Sequence, residues 1–586
     1  MAGTGRRSPR VGMEDEELAT VVAPLVEGTT EEAGLQSRSL RLRACSARGL
    51  IAAVASVTLV AGVAGALLML LLPHPEPGGD SSMAAIGEVA VPAPIVLAEE
   101  HSNGAAHIPV PVGGLPPWAL GGEIGKQMIQ EEMAYHPLSS AKTEARFWKA
   151  PIDHFPPLGE SSGTFDQKFY VSDQFYKDGG PVFFELGGEG GIGGPPGGFI
   201  AALARERKAL LVQVEHRFYG DSVPNGNVNA SNLRYLTVRQ ALADYAAFID
   251  WYSAEAKLPE GTKWFAFGGS YPGALASWFR IAYPDKTVGS LSSSGVVNSI
   301  FDFVMFDVHI ERAIGAECAD AHRAITSAFE TSVLARGEEE RHAKELFGCK
   351  AEMLDGDFFY MLADGLAMMV QYGRKSLLCS NITGLDYDKA SSEEIMSNTA
   401  SLIKHFWGTD FGSGCFYDTS CLKDPARYEV GGTDRSWRWQ KCYELAYLQP
   451  APLPDQQKDG TLLPKPLRSW MVNMSYMVDQ CYAVFGDFNA VPGGIDFSTQ
   501  AINAQYGGAQ PTARKVFYSN FADDPWLEAS VMPPRDIDDE QPYEVALCED
   551  CGHCMDLHTP NADKDPAALK AVRARFEKYM DDWLDE

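Results

Sequence analysis

Trp264-Phe-Ala-Phe-Gly-Gly-Ser-Tyr-Pro-Gly-Ala-Leu-Ala-Ser-Trp-Phe-Arg-Ile281 reads as a buried strand, a glycine turn and the opening of a helix. Ser270 stands at the turn. A sharp strand-to-helix bend exposes such a hydroxyl above the sheet edge, and the helix N-terminus favours negative charge developing there. The turn departs from the G-x-S-x-G pattern, since Pro272 is second after Ser270 and glycine comes one later. Alone, a Gly-Gly-Ser turn is more often only a turn.

Working outward, short apolar runs alternate with amphipathic stretches, the βα rhythm of a mostly parallel sheet. Strands are predicted at Val182–Leu186, Leu210–Val214, Trp264–Phe267, Val288–Ser293, Val516–Tyr518 and Glu544–Leu547. Leu569, Val572, Phe576, Met580 and Trp583 recur at spacings of three and four and predict a closing helix. Between the fourth and fifth strands the rhythm breaks into helices, predicted over Phe303–Phe347 and Phe358–Tyr372. Roughly 200 residues is too long for a connection, so an inserted domain is expected.

Chain order supports Ser270. In an α/β-hydrolase an acid and then a histidine follow the nucleophile, each in a loop after a late strand. Asp524 follows the fifth predicted strand and His553 the sixth, with Asp523 a rival acid. The expected roles are nucleophile for Ser270, general base and acid for His553, and orienting carboxylate for Asp524. The oxyanion donors are expected from the Tyr271 N–H and the loop Gly187-Gly-Glu-Gly190, Gly188 in particular. Glu189 and Glu444 are candidates for a substrate α-amine. Trp437, Trp439 and Trp526 are candidates for an apolar pocket, with salt bridging and ordinary packing as the plainer readings. His216 reads as a structural histidine and Asp244 as a hydrogen-bonded core carboxylate.

The chain has 586 residues, 45% hydrophobic, with a net charge of −29. That field repels phosphate, and nucleic acid is excluded as a partner. Residues 50–72 carry no charge; at about 1.5 Å per residue a helix there would cross a hydrocarbon core of about 30 Å. Arg38, Arg41, Arg43 and Arg48 precede it, and the next basic residue is Lys126, which by the positive-inside rule puts residues 1–49 in the cytoplasm. The expectation is a single-pass type II protein of the secretory or endolysosomal system, its body lumenal or extracellular; a cleaved long signal is the alternative. Ten cysteines, Cys318 to Cys554, then face an oxidising compartment and suggest disulfides. Asn229, Asn381 and Asn473 stand in glycosylation triplets.

The expected organisation is a disordered cytoplasmic tail (1–49), a transmembrane signal anchor (50–72), a Pro/Gly-rich stalk (73–127), a first α/β-hydrolase part (128–300), an inserted helical cap (301–505) and a second α/β-hydrolase part (506–586). The fold class is thus an α/β-hydrolase with a mostly parallel sheet and a helical cap, preceded by one transmembrane helix. No metal or organic cofactor is expected. Peptides, the membrane and a second copy of the chain are the candidate partners.

Further stretches carry a resemblance: Ile152-Asp-His-Phe155, Thr164-Phe-Asp-Gln-Lys168, Leu186-Gly-Gly-Glu-Gly190, Glu215-His-Arg-Phe-Tyr-Gly-Asp-Ser222, Arg435-Ser-Trp-Arg-Trp-Gln-Lys-Cys-Tyr-Glu444, Asp524-Pro-Trp526 and Gly552-His-Cys-Met-Asp556. From about residue 148 onward the chain resembles the S28 serine peptidases, the family of lysosomal Pro-Xaa carboxypeptidase, dipeptidyl peptidase II and thymus-specific serine protease. The resemblance implies an α/β-hydrolase with a helical cap, a triad at Ser270, Asp524 and His553, and hydrolysis next to proline near a peptide end. Lys168, Phe521 and Cys554 depart from its usual pattern. Cys551-Gly-His-Cys554 is also the tetrapeptide of disulfide isomerases, and with Cys548 and His558 it offers zinc-type ligands. The acidic Glu549 and Asp550 before it, and the lack of a second Cys pair, weigh against both. Other readings are a decayed, membrane-anchored binding ectodomain and an esterase using the same triad.

Overall fold

In the computed structural model the described residues are 144–586 apart from 454, 459, 487–493 and 533–539. Eight strands form one sheet: β1 (Arg146–Pro151), β2 (Thr164–Ser172), β3 (Val182–Leu186), β4 (Leu210–Val214), β5 (Trp264–Gly269), β6 (Gly289–Ser293), β7 (Val516–Phe521) and β8 (Tyr543–Ala546). Their order is β1-β2-β4-β3-β5-β6-β7-β8. β2 runs antiparallel to β1 and β4, and β3 to β8 are parallel. Every residue of β4, β6 and β7 is buried, the mark of parallel strands covered on both faces. β1 and β2, which alternate exposed and buried positions over part of their length, escape the apolar-run criterion.

Helices α1 (Gly198–Arg207), α2 (Val238–Glu255) and α3 (Tyr271–Ala282) supply the crossovers of the parallel part. The closing helix (Ala567–Asp585) packs Phe576, Met580 and Trp583 with Phe199 of α1 and with Phe183, Phe265, Phe267 and Phe517 of the sheet. α2 and α3 lie in a second, larger core with Phe169, Phe184 and Trp264. This topology is an α/β-hydrolase sheet, with Ser270 at the C-terminal end of its central strand.

Between β6 and β7 the chain is mainly helical. Met305–Ala335 breaks its helical geometry at Gly315, and a separate helix starts at Glu338, so the single helix predicted to Phe347 is divided. Asp355–Gln371, Lys375–Ile382, Ser392–Trp407, Thr433–Gln440 and Met474–Phe485 follow. Disulfides join Cys318 to Cys379, Cys415 to Cys421, Cys442 to Cys481 and Cys548 to Cys551. Cys349 and Cys554 are free and buried.

The membrane part of the expected fold class and the single-pass localisation are corrected: among the described residues no helix is long and apolar enough to cross a membrane. The span predicted at 50–72, with the tail (1–49), the stalk (73–127) and residues 128–143, lies outside the described residues.

Candidate active site

Ser270 joins β5 to α3 with φ 61° and ψ −127°, a conformation that costs an L-residue about 1–3 kcal/mol and persists where surroundings enforce it. The enforcement is visible. Ser270 N–H donates to Ser293 O (2.9 Å), and Ala274 N–H donates to Ser270 O (3.1 Å). A Cβ at Gly269 would lie 2.7 Å from Leu557 Cδ1 and 2.9 Å from Cys554 Sγ; one at Gly273 would lie 2.7 Å from Ser293 O. Pro272, in the first turn of α3, needs no backbone donor there. Its ring occupies the space a Gly188 side chain would take, which gives the departure from G-x-S-x-G a steric partner.

Asp524 and His553 lie at the ends of β7 and β8 and meet in space. His553 Nδ1 is 2.7 Å from Asp524 Oδ2, and both side chains are 1% exposed. Asp524 Oδ1 accepts from Trp526 N–H (3.0 Å) and caps the turn that follows. Asp523, the rival, instead pairs through Oδ1 with Lys375 Nζ (2.8 Å). Burial acts to lower the His553 pKa, but the Asp524 carboxylate and neighbouring Cys554 outweigh it, and the imidazole lies well above its ordinary 6.5. Its Nε2 is buried with no hydrogen-bond partner.

The end of β6 braces this pair. Ser294 Oγ accepts from Cys554 N–H (3.0 Å), Ser294 N–H donates to Ser519 O (2.7 Å), and the Ser293 and Ser519 hydroxyls both donate to Asp556. Neither Ser293 nor Ser294 stands out in the sequence. Asp556 does so only as the last residue of the Gly552-His-Cys-Met-Asp stretch.

Gly187 and Gly188 follow β3. Gly187 N–H donates to Val214 O (2.9 Å), and its carbonyl accepts from Tyr245 Oη (2.7 Å). Gly188 packs on Pro272, which brings this loop beside the Ser270 turn. Loss of water pushes the Glu189 carboxyl up to about 7, against the pull of its own backbone bond and of His553. Tyr271 points its ring into the helical segment, where Gln440 Nε2 donates to its hydroxyl (2.8 Å) and Trp437 lies 5.7 Å from it.

Thr433–Gln440 continues into a π-turn, Lys441–Leu445, followed by Ala446 and Tyr447 with φ of 57° and 48°. Irregular backbone of this kind recurs at functional sites. It holds Glu444, whose Oε2 accepts from Val238 N–H (2.8 Å) and whose pKa burial raises to about 7. Tyr447 and Trp526 lie 5.6 Å apart, and Trp526 is 6.4 Å from the His553 ring. Trp439 instead packs between Tyr443 and Phe485.

Other candidates fall elsewhere. His216 sits between Arg217 O (2.8 Å) and Tyr271 Oη (3.1 Å), and burial lowers it to about 4. Asp244 accepts two bonds from Arg217, at 2.6 and 2.7 Å, in the core. Cys551 pairs with Cys548, so Cys551-Gly-His-Cys554 holds no internal disulfide. Asn229 and Asn381 are exposed, whereas Asn473 caps a helix by accepting from Tyr476 N–H (3.0 Å). Gln371, Gln440 and Tyr447 are missed by sequence reasoning; of these, Gln440 alone lies in a stretch carrying the family resemblance.

A family model described as serine carboxypeptidase S28 matches residues 150–576. The chain is 30% identical over 467 residues to a probable serine protease EDA2 of Arabidopsis thaliana, covering 76% of this chain and 89% of that one. It is 28% identical over 493 residues to the thymus-specific serine protease of Mus musculus, with coverages of 78% and 92%. To the lysosomal Pro-X carboxypeptidase of Homo sapiens it is 26% identical over 471 residues, with coverages of 75% and 88%. Among solved structures, a proline iminopeptidase of Mycobacterium smegmatis gives a TM-score of 0.29 at 11% identity, over 74% of this chain and 98% of that one.

Proposed function

This chain belongs to the serine carboxypeptidase S28 family and is a serine-type peptidase, and we propose that it trims peptides near one chain end, next to proline, by acyl-enzyme chemistry at Ser270. The observation that carries this reading is the buried Asp524–His553 pair, 2.7 Å across, in the loops after β7 and β8, at the same sheet end as the strained Ser270 turn after β5. Ser270 attacks the scissile carbonyl; His553 takes the proton through Nε2 and returns it to the leaving amine; Asp524 fixes the tautomer with Nδ1 protonated. The Tyr271 and Gly188 N–H groups receive the oxyanion, with α3's N-terminus adding its field.

The helical segment, residues 301–505 in this reading, acts as a cap inserted between the hydrolase parts 128–300 and 506–586. It limits access to short or terminal peptide segments. Trp437 and Trp526, aromatic and half-buried, suit a proline ring. Glu189 and Glu444, carboxylates in a poorly solvated setting, suit a substrate ammonium, which favours trimming from the amino end.

The test is mass spectrometry of one peptide beginning Ala-Pro and ending Pro-Phe, incubated with the full chain and with Ser270→Ala, at pH 5 and pH 7. Release of the first two residues by the wild type alone supports the dipeptidyl reading, and release of Phe alone reverses the direction of trimming. Turnover retained by Ser270→Ala removes the nucleophile assignment.

A further inference from the structure

Acid and base come from two loops at different strand ends, and both are bound to one turn of the helical segment. That turn, Gln371 to Lys375, joins Asp355–Gln371 to Lys375–Ile382. On the base side, His553 N–H donates to Gln371 O (2.6 Å). A Cβ at Gly552 would overlap Gln371 O and Gly373 N, and one at Gly373, whose φ is +69°, would overlap Asp550 O. Ser376 adds two bonds, N–H to Asp550 Oδ1 and Oγ to Glu549 Oε1, each 3.0 Å. On the acid side, Trp526 Nε1 donates to Gln371 Oε1 (3.0 Å), and Lys375 Nζ pairs with Asp523 (2.8 Å), the residue before Asp524. Backbone meets backbone at the glycines, so the base loop cannot shift without moving the turn, while the acid loop is tied to the same turn through the Trp526 and Lys375 side chains.

We propose that the Gln371–Lys375 turn holds the acid and base loops in register, with Lys375 as a positioning residue that sets the turnover rate without touching substrate. The inference rests on the triad assigned above. Its physical basis is the Asp523 carboxylate, which is 6% exposed. Removing its cation leaves a buried, uncompensated charge next to Asp524, and the loop must rearrange to solvate it. A displacement of about 1 Å in the acid suffices to cost roughly 100-fold in rate. Lys375→Arg keeps the charge and a donor; Lys375→Met/Asp523→Asn removes both charges together.

The experiment uses the full chain, a proline peptide substrate and a fluorophosphonate probe, with activity expressed per folded molecule by circular dichroism. Lys375→Met should lower kcat roughly 10- to 100-fold with KM within about 2-fold, and slow probe labelling of Ser270 in proportion. Lys375→Arg should stay within about 3-fold of wild type, and the double variant should regain most of the loss. Gly373→Ala, which pries the same contact apart by sterics, should show the same kcat–KM split should Lys375→Met not fold. Wild-type kcat in Lys375→Met or Gly373→Ala, equal loss in Met and Arg variants, or a loss confined to KM would each overturn the proposal. Wild-type protein that the probe does not label would defeat the triad reading itself, a different failure.

Discussion

His553 Nδ1 lies 2.7 Å from Asp524 Oδ2, both side chains 1% exposed, while Nε2 of the same ring is buried with no hydrogen-bond partner. One nitrogen is committed to a carboxylate, and in the proposed mechanism the other serves the reacting group. Because Asp524 holds the imidazole pKa up, the neutral base forms only on the alkaline side of 6.5, and kcat/KM should climb with pH through that raised value. In Asp524→Asn the carboxylate that chiefly opposes burial is gone and only Cys554 still acts against it, so the acid limb should move to lower pH while kcat falls about 10⁴-fold. A pH profile in which the limb stays put would refute this coupling.

Gly188→Ala should damage turnover more than binding. The new methyl overlaps the Pro272 ring and pushes the loop away from the Ser270 turn. Losing one oxyanion donor costs about 10²–10³ in kcat, with KM little changed. Steady-state kinetics with active-site titration separates this from misfolding.

Glu444→Gln should weaken substrates with a free amino terminus by about 10-fold in KM, the value of one charged hydrogen bond. N-acetylated peptides should be unaffected. Stability moves in a defined direction too. The folded carboxyl titrates near 7 and the unfolded one near 4.5, so the folded state holds an extra proton between these values and loses stability as pH rises through them. Glu444→Gln should therefore raise Tm at pH 8 and leave it unchanged at pH 4.5, as calorimetry at both pH values would show.

Native protein should resist alkylation at Cys349 and Cys554. Burial lifts the Cys349 thiol to about 12, and Cys554 is 1% exposed beneath Gly269. Unfolding without reductant should render both reactive in peptide mapping and leave Cys548 and Cys551 protected. Labelling of Cys548 or Cys551 under those conditions would contradict the pairing.

Much of the sheet was legible because buried parallel strands are continuous apolar runs, as at Val182–Leu186 and Leu210–Val214. β1 and β2 were not, since half-exposed strands resemble loops in composition. Disulfides among the ten cysteines were expected from their even count, without number or pairing; the structure forms four, leaves Cys554 reduced beside His553 and turns Cys551 to Cys548, a choice that loop geometry makes. The membrane helix read from residues 50–72 stands outside the described fold.

By itself the sequence determined the order Ser270, Asp524, His553 and the strand after which each falls, because apolar periodicity and glycine turns are local properties of the chain. Tertiary structure alone decided which acid meets the histidine. Asp523 and Asp524 are adjacent and chemically alike; the twist of the turn after β7 sends one carboxylate to Lys375 and the other to His553. It also decided that Gln371 and Lys375, more than a hundred residues earlier in the chain, bind the loops that carry Asp524 and His553, since packing across the sheet's end brings together residues that no sequence spacing relates.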